Sequence, residues 1–318
     1  MGELGHWRDF PTGELGERAA AWLALPGDQR VGPDTRLAAT VMLLRDRVND
    51  PQRDGLEVFL LRRVPSMAFA PRMTVFPGGG VDLRDRHAVD LPWVGPGPAE
   101  WAERLGCGES DARGLVVAAV REVFEECGVL LAGSGADDVV ADVADDSYRA
   151  DRAALEAREL SFAEMLARRG LVLRADLLSL RGRWITPPFE SRRYDTAFFA
   201  ALLPSGQHPD DCTTETDLAG WYAPADVLAA HERGEVRMLP PTIVSLEELA
   251  DADADAGTDA GAAAAVVAQQ PPVWPIEPEL VPGRDGTDPV LRARVPRTSR
   301  GADADAQAGT GEHGVVAR

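Results

Sequence analysis

The most informative segment of the chain reads Arg121-Glu122-Val123-Phe124-Glu125-Glu126-Cys127-Gly128-Val129. It belongs to an apolar run that begins near Leu115 and favours a helix. On a helix, Glu122, Glu125 and Glu126 take positions i, i+3 and i+4, so their side chains share one face. Like charges at this spacing destabilise a helix. We therefore expect a compensating positive charge beside them, and Gly128 allows the chain to turn out of the helix.

Two interpretations of this acidic face remain open from the triplet alone. Carboxylate oxygens suit Mg²⁺ or Mn²⁺, and the thiolate and imidazole ligands that zinc prefers are missing nearby. Arg121 could fix one carboxylate through a bidentate hydrogen bond. Equally, glutamate pairs are common on solvated helix surfaces. Apolar residues such as Val120 and Phe124 on the neighbouring faces favour a packed helix whose acidic side borders a cleft.

A glycine-rich segment, Phe76-Pro77-Gly78-Gly79-Gly80, lies upstream. Together the two segments resemble the signature of Nudix hydrolases, G-x5-E-x7-R-E-U-x-E-E-x-G-U, in which U is a bulky aliphatic residue. The second half matches at every specified position: Arg121, Glu122, Val123, Glu125, Glu126, Gly128 and Val129.

The first half of the signature departs in spacing and in one residue. If Gly79 is the signature glycine, Arg121 follows 42 positions later instead of 14, a surplus of 28 residues. The signature glutamate is missing, because counting forward from Gly79 gives Asp85 and counting back from Arg121 gives Arg113. In the family that glutamate mainly braces the loop. The departure therefore concerns the geometry of the loop more than its chemistry.

The resemblance implies an α/β fold, the Nudix α/β/α sandwich with a mixed sheet, and the glutamate helix beneath the glycine segment. It implies Mg²⁺ or Mn²⁺ as cofactor and hydrolysis of a diphosphate bond in a nucleoside diphosphate derivative. By analogy, Glu125 and Glu126 ligate the metal, and Glu122 ligates or acts as base. The Gly79 carbonyl assists, and Arg121 orients the glutamates.

Further site residues follow from position. Arg62, Arg63 and Arg72 flank the glycine segment and could receive phosphates, or simply solubilise the strand ends. Phe76, Gly78 and Gly80 are predicted to border the substrate, since glycines let a backbone approach a ligand closely. Glu215 is a candidate for a fourth metal carboxylate. Equally, Glu215 could be an acidic loop residue among polar neighbours that binds no metal.

A narrower resemblance concerns the branch of the family. The long insertion and the segment Arg193 to Leu203 look like the peroxisomal acyl-CoA diphosphatases, which cleave coenzyme A or its thioesters. Two alternatives stay open. One is a Nudix pyrophosphatase for ADP-ribose, NADH or dinucleoside polyphosphates, and the other is a non-catalytic binding or regulatory module with this fold.

The chain is predicted to divide into an N-terminal segment (1–33), a Nudix domain (34–250) and a low-complexity, disordered tail (251–318). Within the domain, 37–44 and 56–62 read as a strand hairpin, and 193–203 as a core strand. Residues 83–112 form the insertion, with a short helix over 98–105. It could be a lid or substrate wall, or a surface loop.

Composition limits the partners. The formal charge is −19, and all 33 basic residues are arginines, which argues against general nucleic-acid or anionic-membrane binding. Three scattered cysteines and no spanning apolar run favour a reduced, cytoplasmic setting and no membrane segment. The expected partner is a small nucleotide-type substrate. The sequence leaves the oligomeric state open.

Overall fold

The computed structural model describes residues 5–47, 55–64, 72–210, 216–256, 261–283 and 287–299. Within these ranges the strands are β1 (Gly5–Pro11), β2 (Thr35–Asp46), β3 (Leu56–Arg63), β4 (Thr74–Val75), β5 (Gly78–Gly80), β6 (Trp93–Val94), β7 (Ala132–Gly133), β8 (Val172–Arg174), β9 (Ser179–Ile185), β10 (Arg193–Leu202), β11 (Thr216–Tyr222), β12 (Pro275–Ile276), β13 (Glu279–Val281) and β14 (Val290–Pro296). The helices are α1 (Gly16–Ala24), α2 (Leu83–Arg86), α3 (Pro98–Leu105), α4 (Glu109–Cys127), α5 (Asp146–Glu156), α6 (Phe162–Arg169), α7 (Pro224–Glu232), α8 (Pro240–Ala256) and α9 (Ala262–Ala268).

A mixed sheet occupies the centre of the fold. Its strand order is β11-β3-β2-β10-β9-β12, with β4 paired to β3 and β5 paired to β2. Strand β2 runs antiparallel to β3 and parallel to β10. The predicted hairpin and the predicted core strand are therefore confirmed. The glycine segment, expected as a loop, continues the sheet as the short strand β5.

The two faces of this sheet carry separate hydrophobic cores. Side chains of a strand alternate between faces, so Val41 and Phe199 pack on the side of α4, and Met42 and Phe198 pack on the side of α8. Both sets are buried. Helices therefore cover both faces of a mixed sheet, which is the predicted α/β/α sandwich.

Helix α4 presents the glutamates. It starts at Glu109, six residues before the predicted start, and packs on β2 and β5. Gly128 follows its last turn in a left-handed conformation (φ 66°) and donates to the carbonyl of Phe124. A side chain in this conformation is strained, so glycine is favoured here.

The insertion is mostly part of the scaffold. The predicted helix over 98–105 is confirmed as α3, with Trp101 fully buried in an edge-to-face contact with Phe199 at 5.6 Å between ring centres. The first residues of the insertion, Leu83 to Asp85, line the cleft described below. The rest packs against α4, β8 and β9. Trp101 and Leu105 are buried in the core, whereas Leu83 and Val89 are exposed. The interpretation as a lid or substrate wall therefore stays a prediction for the first part of the insertion.

The structure also differs from the predicted domain boundaries. Strand β1, within the predicted N-terminal segment, pairs with β14 and, through it, β13 in a three-stranded sheet. Helix α8 continues past Asp251 to Ala256, and helix α9 and strands β12 to β14 follow it, where disorder was predicted. Alternate residues of β14, Leu291, Ala293 and Val295, are buried in the core, a period-two pattern hidden by the acidic repeats around it. Residues 300–318 lie outside the described ranges.

Candidate active site

The glycine strand β5 lies directly on the acidic face of α4. The amide of Gly78 donates to Glu126 Oε2 at 2.7 Å. A Cβ atom placed on Gly79 would lie 2.5 Å from Glu122 Oε2, closer than real Cβ contacts come. A side chain at position 79 would therefore displace the carboxylate, so the requirement for glycine here comes from a close approach of backbone to side chain.

Arg121 organises the glutamates. Its Nη1 donates to Glu122 Oε1 at 2.7 Å and to Glu125 Oε1 at 3.3 Å. Its Nη2 donates to the carbonyl of Gly80 at 2.8 Å. One guanidinium therefore fixes two carboxylates of the helix and the glycine strand relative to each other. Gly80 was predicted to border the substrate, and its carbonyl oxygen accepts the hydrogen bond from Arg121.

Asp85 occupies the position of the missing signature glutamate. Its carboxylate accepts from Arg121 Nη2 at 2.9 Å and from Nε at 3.2 Å, and its side chain is 3% exposed. It also accepts from the amide of Asp82 in the capping box that begins α2. Most of the insertion is chain between Asp85 and Arg121, so this ion pair joins the two ends of the enlarged loop.

Burial and mutual repulsion shift the titration of this group. Burial, together with the charges of Glu125 and Asp85, raises the pKa of Glu122 to about 7 against the opposing effect of Arg121. Burial likewise raises the pKa of Glu125, again opposed by Arg121. Burial alone would lower the pKa of Arg121, but the charges of Glu122 and Asp85 raise it above its ordinary value. Three carboxylates share this guanidinium, so the site is electronegative.

The donor set fits a hard divalent cation by its chemistry. All the side-chain donors are carboxylate oxygens, and Gly79 leaves the space in front of Glu122 open to a ligand. In the described part of the chain, no three histidine, cysteine, aspartate or glutamate side chains converge as a ready-made ligand set. Instead, Glu122 and Glu125 turn toward Arg121, while Glu126 turns toward Gly78.

The other predicted residues are distributed as follows. Phe76 is buried and lines the cleft, as does the half-buried Arg63. The side chains of Arg62 and Arg72 are exposed, and Arg72 adopts a positive φ of 60° at the turn before β4. The structure therefore brings one of the three arginines to the site. Glu215 lies outside the described residues.

Sequence reasoning missed two supports of the site. Asp85 lies six positions after Gly79, where the signature has its glutamate, but from the sequence the aspartate was treated as a missing glutamate and not as a substitute for it. Arg152 on α5 donates from Nε to the carbonyl of Glu125 at 2.6 Å and from Nη1 to Asp210 at 2.6 Å. It places a positive charge at the C-terminal end of α4, where the helix dipole favours cations. No local pattern around Arg152 indicates this contact.

The glutamates open into a cleft of about 1520 Å³. It extends from Glu122, Glu125 and Glu126 across the sheet face on the α8 side, toward the N-terminal residues 10–15. Ligand pockets typically occupy roughly 300–1,000 Å³. The cleft is therefore larger than a compact nucleotide requires.

Comparison with known proteins agrees with this geometry. A family model for the NUDT19 Nudix domain matches residues 109–249. The crystal structure of a NUDIX hydrolase from Alicyclobacillus acidocaldarius is 30% identical, with a TM-score of 0.54, and the match covers 68% of this chain and 91% of that one. The chain belongs to the Nudix hydrolase family. The resemblance inferred from residues 121–129 is thus confirmed.

Two curated relatives are also Nudix proteins. The acyl-coenzyme A diphosphatase NUDT19 of Homo sapiens is 27% identical over 237 residues, covering 63% of this chain and 62% of the relative. Its counterpart from Xenopus laevis is 24% identical over 225 residues, covering 61% and 59%. The match therefore spans less than two thirds of the length of either relative.

Nudix hydrolases act on small nucleotide derivatives and generally use divalent metal ions. The mixed sheet and the glutamate helix of this chain are the features shared with that family. None of the helices in the described ranges is both long enough and apolar enough to cross a membrane.

Proposed function

We propose that this Nudix protein hydrolyses the diphosphate bond of coenzyme A or of its acyl thioesters, with Mg²⁺ or Mn²⁺ as cofactor. The observation that carries the proposal is the assembly of Glu122, Glu125 and Glu126 under β5, held by Arg121. Its products would be 3',5'-ADP and a 4'-phosphopantetheine. The similarity to the acyl-coenzyme A diphosphatases supports this choice among diphosphate substrates.

The reaction needs negative charge on the phosphoryl oxygens to be neutralised and a water to be made nucleophilic, and bound divalent ions supply both effects. Glu125 and Glu126 would hold the ions. Glu122 would add a ligand oxygen or take the proton of the attacking water. Burial raises the pKa of this carboxyl in the metal-free protein, and bound divalent ions would favour its ionised form, which can act as ligand or base.

Arg121 and Asp85 have a positioning role in this proposal. Arg121 is saturated by bonds to protein groups, so it orients carboxylates and does not receive a phosphate. Arg63 and Arg84 line the cleft and offer positive charge to the substrate, although Arg84 is paired with Asp82. The phosphates therefore meet an environment in which the bound ions supply most of the positive charge.

The test is a substrate panel on the purified chain with Mg²⁺, with Mn²⁺ and with EDTA, in which products are identified by mass. The panel contains coenzyme A, acyl-CoAs, ADP-ribose, NADH and dinucleoside polyphosphates. We expect 3',5'-ADP from coenzyme A or an acyl-CoA with metal and none with EDTA. We expect Glu126→Gln to lower kcat/KM on the order of 100-fold, because a metal carboxylate is lost. The exposed Glu17→Gln is the matched control.

Each alternative predicts a different result. Cleavage of ADP-ribose, NADH or a dinucleoside polyphosphate with coenzyme A left intact would identify another pyrophosphatase and refute the substrate proposed here. Binding without turnover of any substrate, unchanged by Glu126→Gln, would indicate a non-catalytic module.

A further inference from the structure

The far end of the cleft is built by the two terminal segments of the chain. Phe10 of β1 pairs in register with Leu291 of β14, and both line the cleft. Leu15 follows on the N-terminal side. These residues lie outside residues 109–249, the range of the family match. The two terminal segments therefore pair with each other and together form one wall of the cleft.

This wall is fixed to the rest of the cleft by ion pairs at two points. Glu14 contacts Arg237 at 2.5 Å, and Arg18 contacts Glu190 at 2.6 Å. Thr12 Oγ1, in a buried position, donates to the carbonyl of Pro289 at 2.7 Å. The N-terminal segment is thus held on both sides of the cleft and is connected to the C-terminal strands.

Apolar side chains line this end of the cleft beside the two ion pairs. Phe10, Leu15 and Leu291 pack in one hydrophobic cluster with Trp184, Phe189 and Met238, and all six line the cleft. We call these six residues the apolar end. Its character contrasts with the acidic end at Glu122, so the two ends suit different parts of one ligand.

A row of paired residues connects the two ends. Gly80 is in register with Ala38, Ala38 with Thr196, and Thr196 with Trp184. All four line the cleft. Neighbouring strands are about 4.8 Å apart, so the three steps from Gly80 to Trp184 span roughly 14 Å. The apolar end therefore begins at that distance from the glycine strand.

This distance matches the pantetheine arm of coenzyme A. That arm has a backbone of about four residue lengths, or roughly 15 Å when extended. With the diphosphate at the glutamates, the thioester would lie beside Trp184. We propose that the apolar end binds the acyl chain of an acyl-CoA. This inference rests on the proposed function for the class of substrate and assigns its acyl subsite to the terminal segments.

Calorimetry on the full chain tests the subsite independently of turnover. Affinities are measured for coenzyme A, hexanoyl-CoA and decanoyl-CoA in EDTA, which prevents the proposed cleavage, and kcat/KM is measured in parallel with Mg²⁺. Each buried methylene is worth about fourfold in affinity. We expect decanoyl-CoA to bind at least about 50-fold more tightly than coenzyme A, which allows for incomplete burial of the chain.

Leu15 is the residue to change, since it is half-buried at the cleft surface. Leu15→Trp fills the apolar end and should reduce the ratio of decanoyl-CoA to coenzyme A affinity at least about tenfold. Leu15→Gln keeps the size but makes the surface polar, and should reduce the same ratio about threefold to tenfold, so the test does not depend on the folding of one variant. Leu25→Trp, on an exposed leucine of the same N-terminal region, should keep the wild-type ratio.

The outcomes separate the two proposals. If decanoyl-CoA is cleaved but Leu15→Trp and Leu15→Gln keep the wild-type ratio, the acyl subsite is refuted and the proposed function stands. If no CoA substrate is cleaved but the ratio behaves as expected, the proposed function fails and the subsite stands. Equal affinity of the wild type for coenzyme A and decanoyl-CoA refutes the subsite. An equal loss for all ligands in the Leu15 variants also refutes it, because it would indicate binding of the nucleotide there.

Discussion

Replacing Asp85 by asparagine tests whether this residue fulfils the role of the missing signature glutamate. Removing one partner of a buried ion pair costs about 3–5 kcal/mol, largely because the other charge remains uncompensated. Here Arg121 keeps Glu122 and Glu125 as partners. We therefore expect Asp85→Asn to lower the free energy of unfolding by about 2–3 kcal/mol, below that range.

The same variant should lower kcat more than it raises KM. Loss of Asp85 frees Arg121 to move with the glutamates, while the proposed substrate contacts on the far side of the cleft would remain. A positioning defect of this kind typically costs at least about tenfold in rate. Asp85→Glu restores the signature residue type and should retain more activity than Asp85→Asn.

Denaturant unfolding at pH 7 and steady-state kinetics with coenzyme A provide the measurements. Asp90→Asn, on an exposed aspartate of the same insertion, is the matched control. The reasoning is refuted if Asp85→Asn unfolds within about 0.5 kcal/mol of Asp90→Asn, the range usual for surface substitutions.

Three further predictions concern other parts of the chain. Burial raises the pKa of Glu248 to about 7 from 4.5, so the folded state loses stability as the pH rises through this range. Glu248→Gln should therefore increase the free energy of unfolding by about 3 kcal/mol at pH 8 and hardly change it at pH 4. Denaturant unfolding at both pH values measures this, with the exposed Glu17→Gln as control. Gly79→Ala should turn Glu122 away and lower kcat at least about tenfold. The control Gly135→Ala should keep the wild-type kcat, because a Cβ atom there would have no neighbour within 4 Å. Equal kcat values for the two variants would contradict the close approach of Gly79 to Glu122. Leu291→Ala should lower the free energy of unfolding by about 2–3 kcal/mol, because Leu291 is buried. The control Val31→Ala, at an exposed position, should change it by almost nothing. A value near zero for Leu291→Ala would mean that β14 does not pack in the core.

The sequence predicted the elements whose pattern is local. The spacing of Glu122, Glu125 and Glu126 is set by the helical repeat, and the continuous apolar runs of β2 and β10 indicate buried strands of the sheet. The terminal strands were not predicted, because β14 lies between a proline-rich stretch and an acidic, alanine-rich repeat, and the whole tail was interpreted as low-complexity. Its partner β1 is about 280 residues away in the chain, and no local signal reports a pairing over that separation.

The divided signature shows why spacing alone was a poor guide to the site. One guanidinium contacts the helix carboxylates, the glycine strand and the loop carboxylate together, and we propose this arrangement as the requirement of the site. The length of chain between Asp85 and Arg121 is not part of that requirement, provided that its ends meet. Here the inserted residues satisfy their own packing through α3, which buries Trp101 against Phe199. The insertion thereby adds to the core on the α4 side, while the opposite side of the sheet is left for a cleft walled by the chain termini.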